Sequence, residues 1–401
     1  MVSKDTYIAV LAGMGGFSDG FALLLGGSAL LSLSHYFRLT AGAEGLIISA
    51  PFLGSIIGAV AFGRLADLLG RRVIFLNVLL FFLLGSMISA LAPSILVLIA
   101  GRLMVGMGIG GDIPSGLALV AELSDSRKRG GLLAIQSILW GLGGASAALV
   151  ALPLLSLGNI AWRPLFGLGA IPPLVTLVLR REISESWVWK VKRSEVEVRI
   201  RNRGRYVLML AFTSASLFAW TFILAIFANY TPSIMVSTMG LSKAYALLIG
   251  GAQWLGFVAG GLMVLRYCDR IGRRILLIPA TVGEAALLYA SIFLLRNPLW
   301  ISLTLVVLWI LGGVGYVVNS VYSAELFPTL LRGTSSGVAF SMGRLGGYVS
   351  TLILPMLLLS IRLAGVFALL AVLMTPLALT CPLIAPRSEG KGIDELEREY
   401  Y

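Results

Sequence analysis

GRLMVGMGIGGDIPSGLALVAELSDSRKRG, Gly101 to Gly130, is the stretch whose reading decides the fold. It is apolar enough to enter a bilayer, yet it carries Arg102 and Asp112. A bilayer penalises each of these by roughly 2.5–3.5 kcal/mol at mid-depth, so both must face other protein or a polar cavity. Gly106, Gly108, Gly110 and Gly111 are expected to strip one face bare, so that another helix backbone can approach closely. Pro114 is expected to kink the helix, and neighbouring helices must then satisfy the freed backbone groups. The stretch closes on Ala-Glu-Leu and, five residues later, Arg-Gly.

The rest of the chain is of the same kind. Hydrophobic residues make up 58% of it and charged residues 12%, against about 25% charged in soluble domains. Several apolar runs reach the ~20 residues that span hydrocarbon, and none alternates like a barrel strand. The expected class is an all-α, polytopic membrane protein. Twelve spans can be read. The first six are Tyr7–Leu33, Ala43–Leu65, Val73–Leu91, Ser94–Leu119, Gly131–Leu155 and Trp162–Leu179. The second six are Val207–Met235, Tyr245–Leu265, Ile275–Leu295, Leu299–Tyr322, Gly333–Leu359 and Leu363–Ile384. This predicts an N-terminal six-helix bundle (1–180), a cytoplasmic linker (181–205), a C-terminal six-helix bundle (206–385) and a cytoplasmic tail (386–401).

A net charge of +12 could suggest nucleic acid, but its placement argues against that partner. Basic residues cluster in alternate loops, at Arg71-Arg72, Arg127-Lys128-Arg129, Arg180 to Arg205 and Arg270 to Arg274. The opposite loops hold only Arg38, Arg163, Lys243, Arg296 and Arg362. This is the positive-inside pattern, and it puts both termini in the cytoplasm, with the lipid bilayer of the cell membrane as the setting. Cys268 and Cys381 support neither a disulfide framework nor a metal site. His35, the sole histidine, is expected in the first outer loop.

The two halves repeat. Ala-Glu-Leu, five residues, Arg-Gly occurs at Ala121–Gly130 and at Ala324–Gly333, an offset of 203. Thirteen residues after each Arg comes Leu-Gly-Gly, at Leu142 and at Leu345. Asp67, Gly70, Arg71 and Arg72 recur as Asp269, Gly272, Arg273 and Arg274. Two six-helix halves in parallel repeat are a transporter architecture, with the site between the halves near the midplane.

GRLADLLGRR after the second span and DRIGRR after the eighth resemble the loop motif of the major facilitator superfamily. GRLMVGMGIGG, AWRPLFGLGAIP, ISESW, AELFPTLLRG and the tail PRSEGKGIDELE resemble its sugar-porter and metabolite–proton symporter branches. The resemblance runs over essentially the whole chain. It implies two pseudo-symmetric bundles that rock about a central site. It also implies a cytoplasmic gate made by Asp67, Arg71, Glu122 and Arg129 with their repeats Asp269, Arg273, Glu325 and Arg332.

Charges found in only one half are the candidates for a specific task. At the 203 offset Asp19 maps onto Phe222, Arg102 onto Leu305, Asp112 onto Gly315 and Arg344 onto Gly141. Asp19 lies about 18 Å into an outward-going span and Arg102 about 12 Å into an inward-going one. In a core ~30 Å thick those depths coincide, so an Asp19–Arg102 pair is expected. The resemblance links an acid on the first span, and this Arg, to proton coupling; here the first span reads Asp19-Gly-Phe-Ala22, and many relatives carry a second acid where Ala22 stands. Asp112 has no basic neighbour on its own span and could load a proton, as the similar GGD-x-P of metabolite–proton symporters implies; alternatively it caps backbone broken by Pro114.

Arg344, near mid-depth, could grip a carboxylate or phosphate with two parallel bonds. The alternative is an internal pair with Glu284 or Asp112. Ala219, Trp220 and Ala225 stand where sugar porters carry their sugar-binding amides, which weakens a hexose reading. Gln136, Trp140, Trp220, Asn229, Tyr230, Gln253, Asn319 and Tyr348 could line the cavity, or could be helix-packing contacts. The expected function is proton-coupled symport of a small organic anion. The alternatives are a sugar or polyol symporter, a proton-driven exporter, or a membrane sensor on the same fold. No nucleophile–base pair, metal cluster or phosphate-cradling loop is read, so an enzyme is not expected. No cofactor is expected beyond the proton as coupling ion, and the chain is expected to work as a monomer.

Overall fold

In hydrocarbon a backbone free of water must satisfy its own polar groups, and a single apolar run can do so only as a helix. The computed structural model describes residues 4–69, 71–123, 128–182, 202–295, 297–328, 331–388 and 395. The first half comprises α1 (Lys4–Phe37), α2 (Ala41–Leu69), α3 (Arg71–Leu91), α4 (Ile95–Leu123) and α5 (Arg129–Leu154). Two short helices follow, α6 (Trp162–Leu168) and α7 (Ile171–Leu179), which together form one apolar stretch. The second half comprises α8 (Arg203–Ser237), α9 (Lys243–Ile271), α10 (Arg273–Leu294), α11 (Pro298–Glu325) and α12 (Arg332–Ile384). Among the described residues, 11 helical stretches are long and apolar enough to cross a membrane.

The helices extend beyond the spans read from the sequence. Asn202 accepts from the Arg205 backbone N–H at 3.0 Å, so α8 starts at Arg203, inside the stretch expected as linker. Ser242 caps α9 and Asn297 caps α11 in the same manner, the latter with Pro298 at the first helical position. His35 lies in the last turn of α1 rather than in the loop beyond it. Within α12, Arg362 has φ 56 and ψ −179, and the helix is broken there. Most of the expected linker, residues 183–201, and most of the expected tail lie outside the described residues.

The glycines of α4 clear two faces, not one. A Cβ on Gly106 would stand 2.0 Å from the Pro51 carbonyl oxygen, and one on Gly110 2.0 Å from that of Ser55, both on α2. Gly108 and Gly111 instead meet Val78 of α3. Spacing explains the split: residues four apart share a helix face, and the second pair lies offset from the first. α4 is therefore clamped between α2 and α3.

The pattern of neighbours repeats between halves. α1 packs on α5 as α8 packs on α12, and α2 packs on α4 as α9 packs on α11. The halves meet chiefly through α5 on α9, α2 on α12 and α1 on α8.

Candidate functional site

Where the halves meet, near the middle of α1, α5, α11 and α12, lies a cavity of about 20 Å³. That is room for about one water. It is lined by Asp19 of α1, Gln136, Ser137 and Trp140 of α5, Tyr316 and Ser320 of α11 and Phe340 of α12. On one side of it the halves touch at Gly27, where a Cβ would stand 2.2 Å from the Asn229 carbonyl oxygen of α8. On the other side the Gly131 backbone N–H at the start of α5 donates to Asp269 Oδ2 of α9 at 2.9 Å. The halves are thus in contact on either side of the cavity.

Asp19 is paired across the halves. Arg344 Nη2 on α12 donates to Asp19 Oδ2 at 2.7 Å, and both side chains are buried. Among the described residues this is the only bond Asp19 receives: its Oδ1 has no partner there. Arg102, the expected partner, lies elsewhere. Its guanidinium sits 5.1 Å from the Phe166 ring and against Gly26 of α1, two turns further along that helix than Asp19. Its Nε and Nη2 have no hydrogen-bond partner. Equal depth placed the two residues at one level but said nothing of the direction in which the long Arg102 side chain extends.

Asp112 is also paired, with a residue the sequence reading did not single out. Arg180, just after α7, donates to Asp112 Oδ1 through Nη1 and to Oδ2 through Nη2 at 3.2 Å. Its Nε and Nη2 also donate to the Leu11 and Ala12 carbonyls of α1, both at 3.0 Å. Its guanidinium lies 3.7 Å from the Phe75 ring centroid. A Cβ on Gly15 would stand 1.4 Å from Asp112 Oδ2, so the pair occupies space that only glycine leaves. Arg180 opens the basic run counted towards the positive-inside pattern, which hid it.

The remaining candidates separate by position. Gln136 and Trp140 line the cavity. Trp220 is fully buried against Gly315 inside the second half. Tyr230 donates to the Thr351 carbonyl at 2.9 Å, and Gln253 Nε2 to that of Phe227 at 2.8 Å, so both tie helices of the second half together. Asn229 and Asn319 each donate to a carbonyl four residues back on their own helix. Tyr348 is half-buried against the core. Glu284 is buried in α10 with neither oxygen hydrogen-bonded, and does not meet Arg344.

Sequence reasoning also missed Tyr316. It faces Trp140 across the halves with ring centroids 5.6 Å apart and planes 21° from parallel. The offset that screened the charges would have found it, since Ile113 stands at the equivalent place.

At the end of the bundle nearer the chain termini, Arg273 Nη2 donates to Asp269 Oδ1 at 3.0 Å and to Glu325 Oε1 at 2.8 Å. The segment after α12 folds back onto this network. Tyr322 donates to the Pro386 carbonyl at 2.7 Å, and the Ser388 hydroxyl lies 3.5 Å from Glu325 Oε2. Of the expected gate, Asp269, Arg273 and Glu325 are brought together; the side chains of Asp67, Arg71, Glu122, Arg129 and Arg332 lie outside the described residues.

Buried charges at the junction of two repeated halves fit a carrier, and the comparisons agree. The chain is 23% identical over 419 residues to the minor myo-inositol transporter IolF of Bacillus subtilis, covering 100% of this chain and 94% of that one. It is 24% identical over 426 residues to the niacin transporter NiaP of Acinetobacter baylyi, covering 96% and 95%. Its fold superposes on the proton:xylose symporter XylE of E. coli with a TM-score of 0.85 at 20% identity, covering 99% of both chains. The model of the Major Facilitator Superfamily matches residues 11–351. The chain belongs to that superfamily, as a multi-pass membrane transporter of small molecules.

Proposed function

We propose that this transporter is a proton-coupled symporter of a small organic anion, and that the two halves rock about the central cavity to expose it to either side. In this reading α12 makes two crossings and reverses at Arg362, which gives twelve in all with both termini in the cytoplasm of the cell membrane. The Asp269–Arg273–Glu325 network then closes the cytoplasmic side.

The observation that carries the reading is the buried Asp19–Arg344 pair between the halves. A buried charge left without its partner costs about 3–5 kcal/mol. Asp19 and a substrate carboxylate compete for the same guanidinium. When Asp19 takes a proton it releases Arg344, and the substrate carboxylate replaces it. Proton and anion arrive together as a neutral sum, so the loaded site carries the same charge as the unloaded one. Only the half-loaded states leave Arg344 or a carboxylate unpaired, and that penalty couples the two fluxes. Arg102, with unpartnered Nε and Nη2, adds standing attraction for an anion. Asp112 is committed to Arg180 within one half, so the proton is assigned to Asp19 and Asp112 holds the first half together.

Similarity to the niacin transporter supports an organic acid. Similarity to the myo-inositol and xylose transporters supports a second reading, a neutral polyol or sugar symporter. Uptake by the reconstituted protein separates them. An organic acid that accumulates under an imposed proton gradient, not a sodium gradient, and fails to in Arg344→Ala, supports the anion. A sugar or polyol that accumulates equally in Arg344→Ala overturns it.

A further inference from the structure

The cavity that holds Asp19 has aromatic walls contributed by both halves. Trp140 of α5 and Tyr316 of α11 stand nearly parallel, 21° apart in plane and 5.6 Å between centroids. Trp254 and Phe257 of α9 meet Trp140 edge-on, at 4.7 Å and 4.9 Å, and hold its ring in place. Among the described residues the buried indole N–H of Trp140 has no hydrogen-bond partner, as is also true of Trp162, Trp220, Trp254 and Trp309, but Trp140 alone of these lines the cavity.

We infer that the anion is a planar aromatic or heteroaromatic carboxylate, its ring held between Trp140 and Tyr316 and its carboxylate on Arg344. This rests on the anion reading above and names the substrate class. The two walls belong to different halves, so the stacked pair is the closed form of a slot that opens when the halves part. Carbon atoms touch at about 3.5 Å, so a flat ring needs walls about 7 Å apart. The two rings are an offset stacked pair with 5.6 Å between centroids, so a flat ring enters between them once the halves part by one ring thickness, ~3.5 Å. A saturated six-membered ring is puckered and needs a wider slot, and it gains no stacking. Aromatic walls also attract cations. Here, however, the cation beside the walls is the Arg344 guanidinium, which is freed when Asp19 takes a proton and selects a ring that bears negative charge. The unpartnered Trp140 N–H supplies a donor for a ring heteroatom or a carboxylate oxygen.

The test is thermal stabilisation of the purified full-length protein at acidic pH. Benzoate and nicotinate are compared with cyclohexanecarboxylate (equal in charge but not flat), with nicotinamide (flat but neutral), and with xylose and inositol. Benzoate or nicotinate is expected to bind about tenfold more tightly than cyclohexanecarboxylate, the worth of stacking on the two walls. Trp140→Leu and Tyr316→Leu should each remove most of that preference without weakening cyclohexanecarboxylate, whereas Tyr316→Phe, which keeps the ring, should retain it. Equal binding of cyclohexanecarboxylate and benzoate, or a preference that survives both leucine variants, overturns the aromatic slot and leaves the anion reading standing. If the leucine variants do not fold, Tyr316→Phe and the ligand comparison on the unaltered protein still decide. Binding of xylose or inositol with no acid, or of no compound in the panel, overturns both.

Discussion

Among the described residues, two Asp–Arg pairs have both partners buried, and they are built differently. Asp112–Arg180 lies inside the first half. Both carboxylate oxygens accept, and the same guanidinium holds two carbonyls of α1 and covers Phe75. Asp19–Arg344 spans the halves through one bond, with Asp19 Oδ1 unpartnered. The first pair joins α1, α4 and the end of α7, and travels with one rigid body. The second must break if the halves rock apart as proposed. A saturated pair serves as a staple and a single-bonded one as a latch, so the number of satisfied donors is itself a guide to which charges move in the cycle.

The comparison breaks first, and hardest, at the staple. Asp112→Ala should cost about 3–5 kcal/mol, because it leaves Arg180 buried and uncompensated. Unfolding of the purified protein would read this as a large fall in melting temperature. Replacing both partners, as Asp112→Leu with Arg180→Met, should recover much of it, as removal of a whole buried pair often does. If Asp112→Ala is as stable as the unaltered chain and has lost only proton-driven uptake, the two pairs have exchanged roles. Gly15→Val should resemble Asp112→Ala, since its side chain would occupy the position of the carboxylate.

The latch should give a smaller stability effect and a larger functional one. Asp19→Asn keeps a neutral acceptor for Arg344, so the loss is that of charge assistance, about 1–2 kcal/mol. Transport should change in kind. The asparagine cannot take up a proton, so accumulation against a gradient should vanish while exchange of substrate across the membrane continues. Uptake and counterflow measured on the same vesicles would show the split. Equal loss of both activities would make Asp19 a structural residue like Asp112.

The sequence reached the fold more easily than the pairings. Span length and the repeat at offset 203 are properties of consecutive residues, so the membrane-spanning helices and the superfamily fold could be read directly. The pairings depend on which way a side chain turns between helices far apart in the chain, 325 residues for Asp19–Arg344 and 68 for Asp112–Arg180. Depth could be counted for Asp19 and Arg102, but rotation about the helix axis could not. For the α4 glycines, the spacing was in view and only its division between two faces was missed. Tyr316 was within reach of the same repeat test, which had been applied only to charges.

The smallest effect should come from the contact that closes the end opposite Gly27. Asp269 accepts from Gly131 N–H across the halves and from Arg273 within its own half. Arg273 keeps Glu325 in an Asp269→Asn variant, so the second half stays intact and only the link to α5 weakens. A partly exposed, charge-assisted bond of this sort is worth about 1 kcal/mol, or roughly fivefold in the open population. The chain holds its own reporter of that population. Cys268 is fully buried, and its sulfur would lie 2.5 Å from a Cβ on Gly130, so α5 covers it. In a Cys381→Ser background, alkylation of Cys268 should proceed about fivefold faster with Asp269→Asn than without it. Glu325→Gln should accelerate it less, because Asp269 still bridges Arg273 and Gly131. An unchanged rate in Asp269→Asn would mean that the packing of α5 on α9, not the charge, holds this end shut. The Asp19–Arg344 latch would then remain as an ion pair holding the halves together.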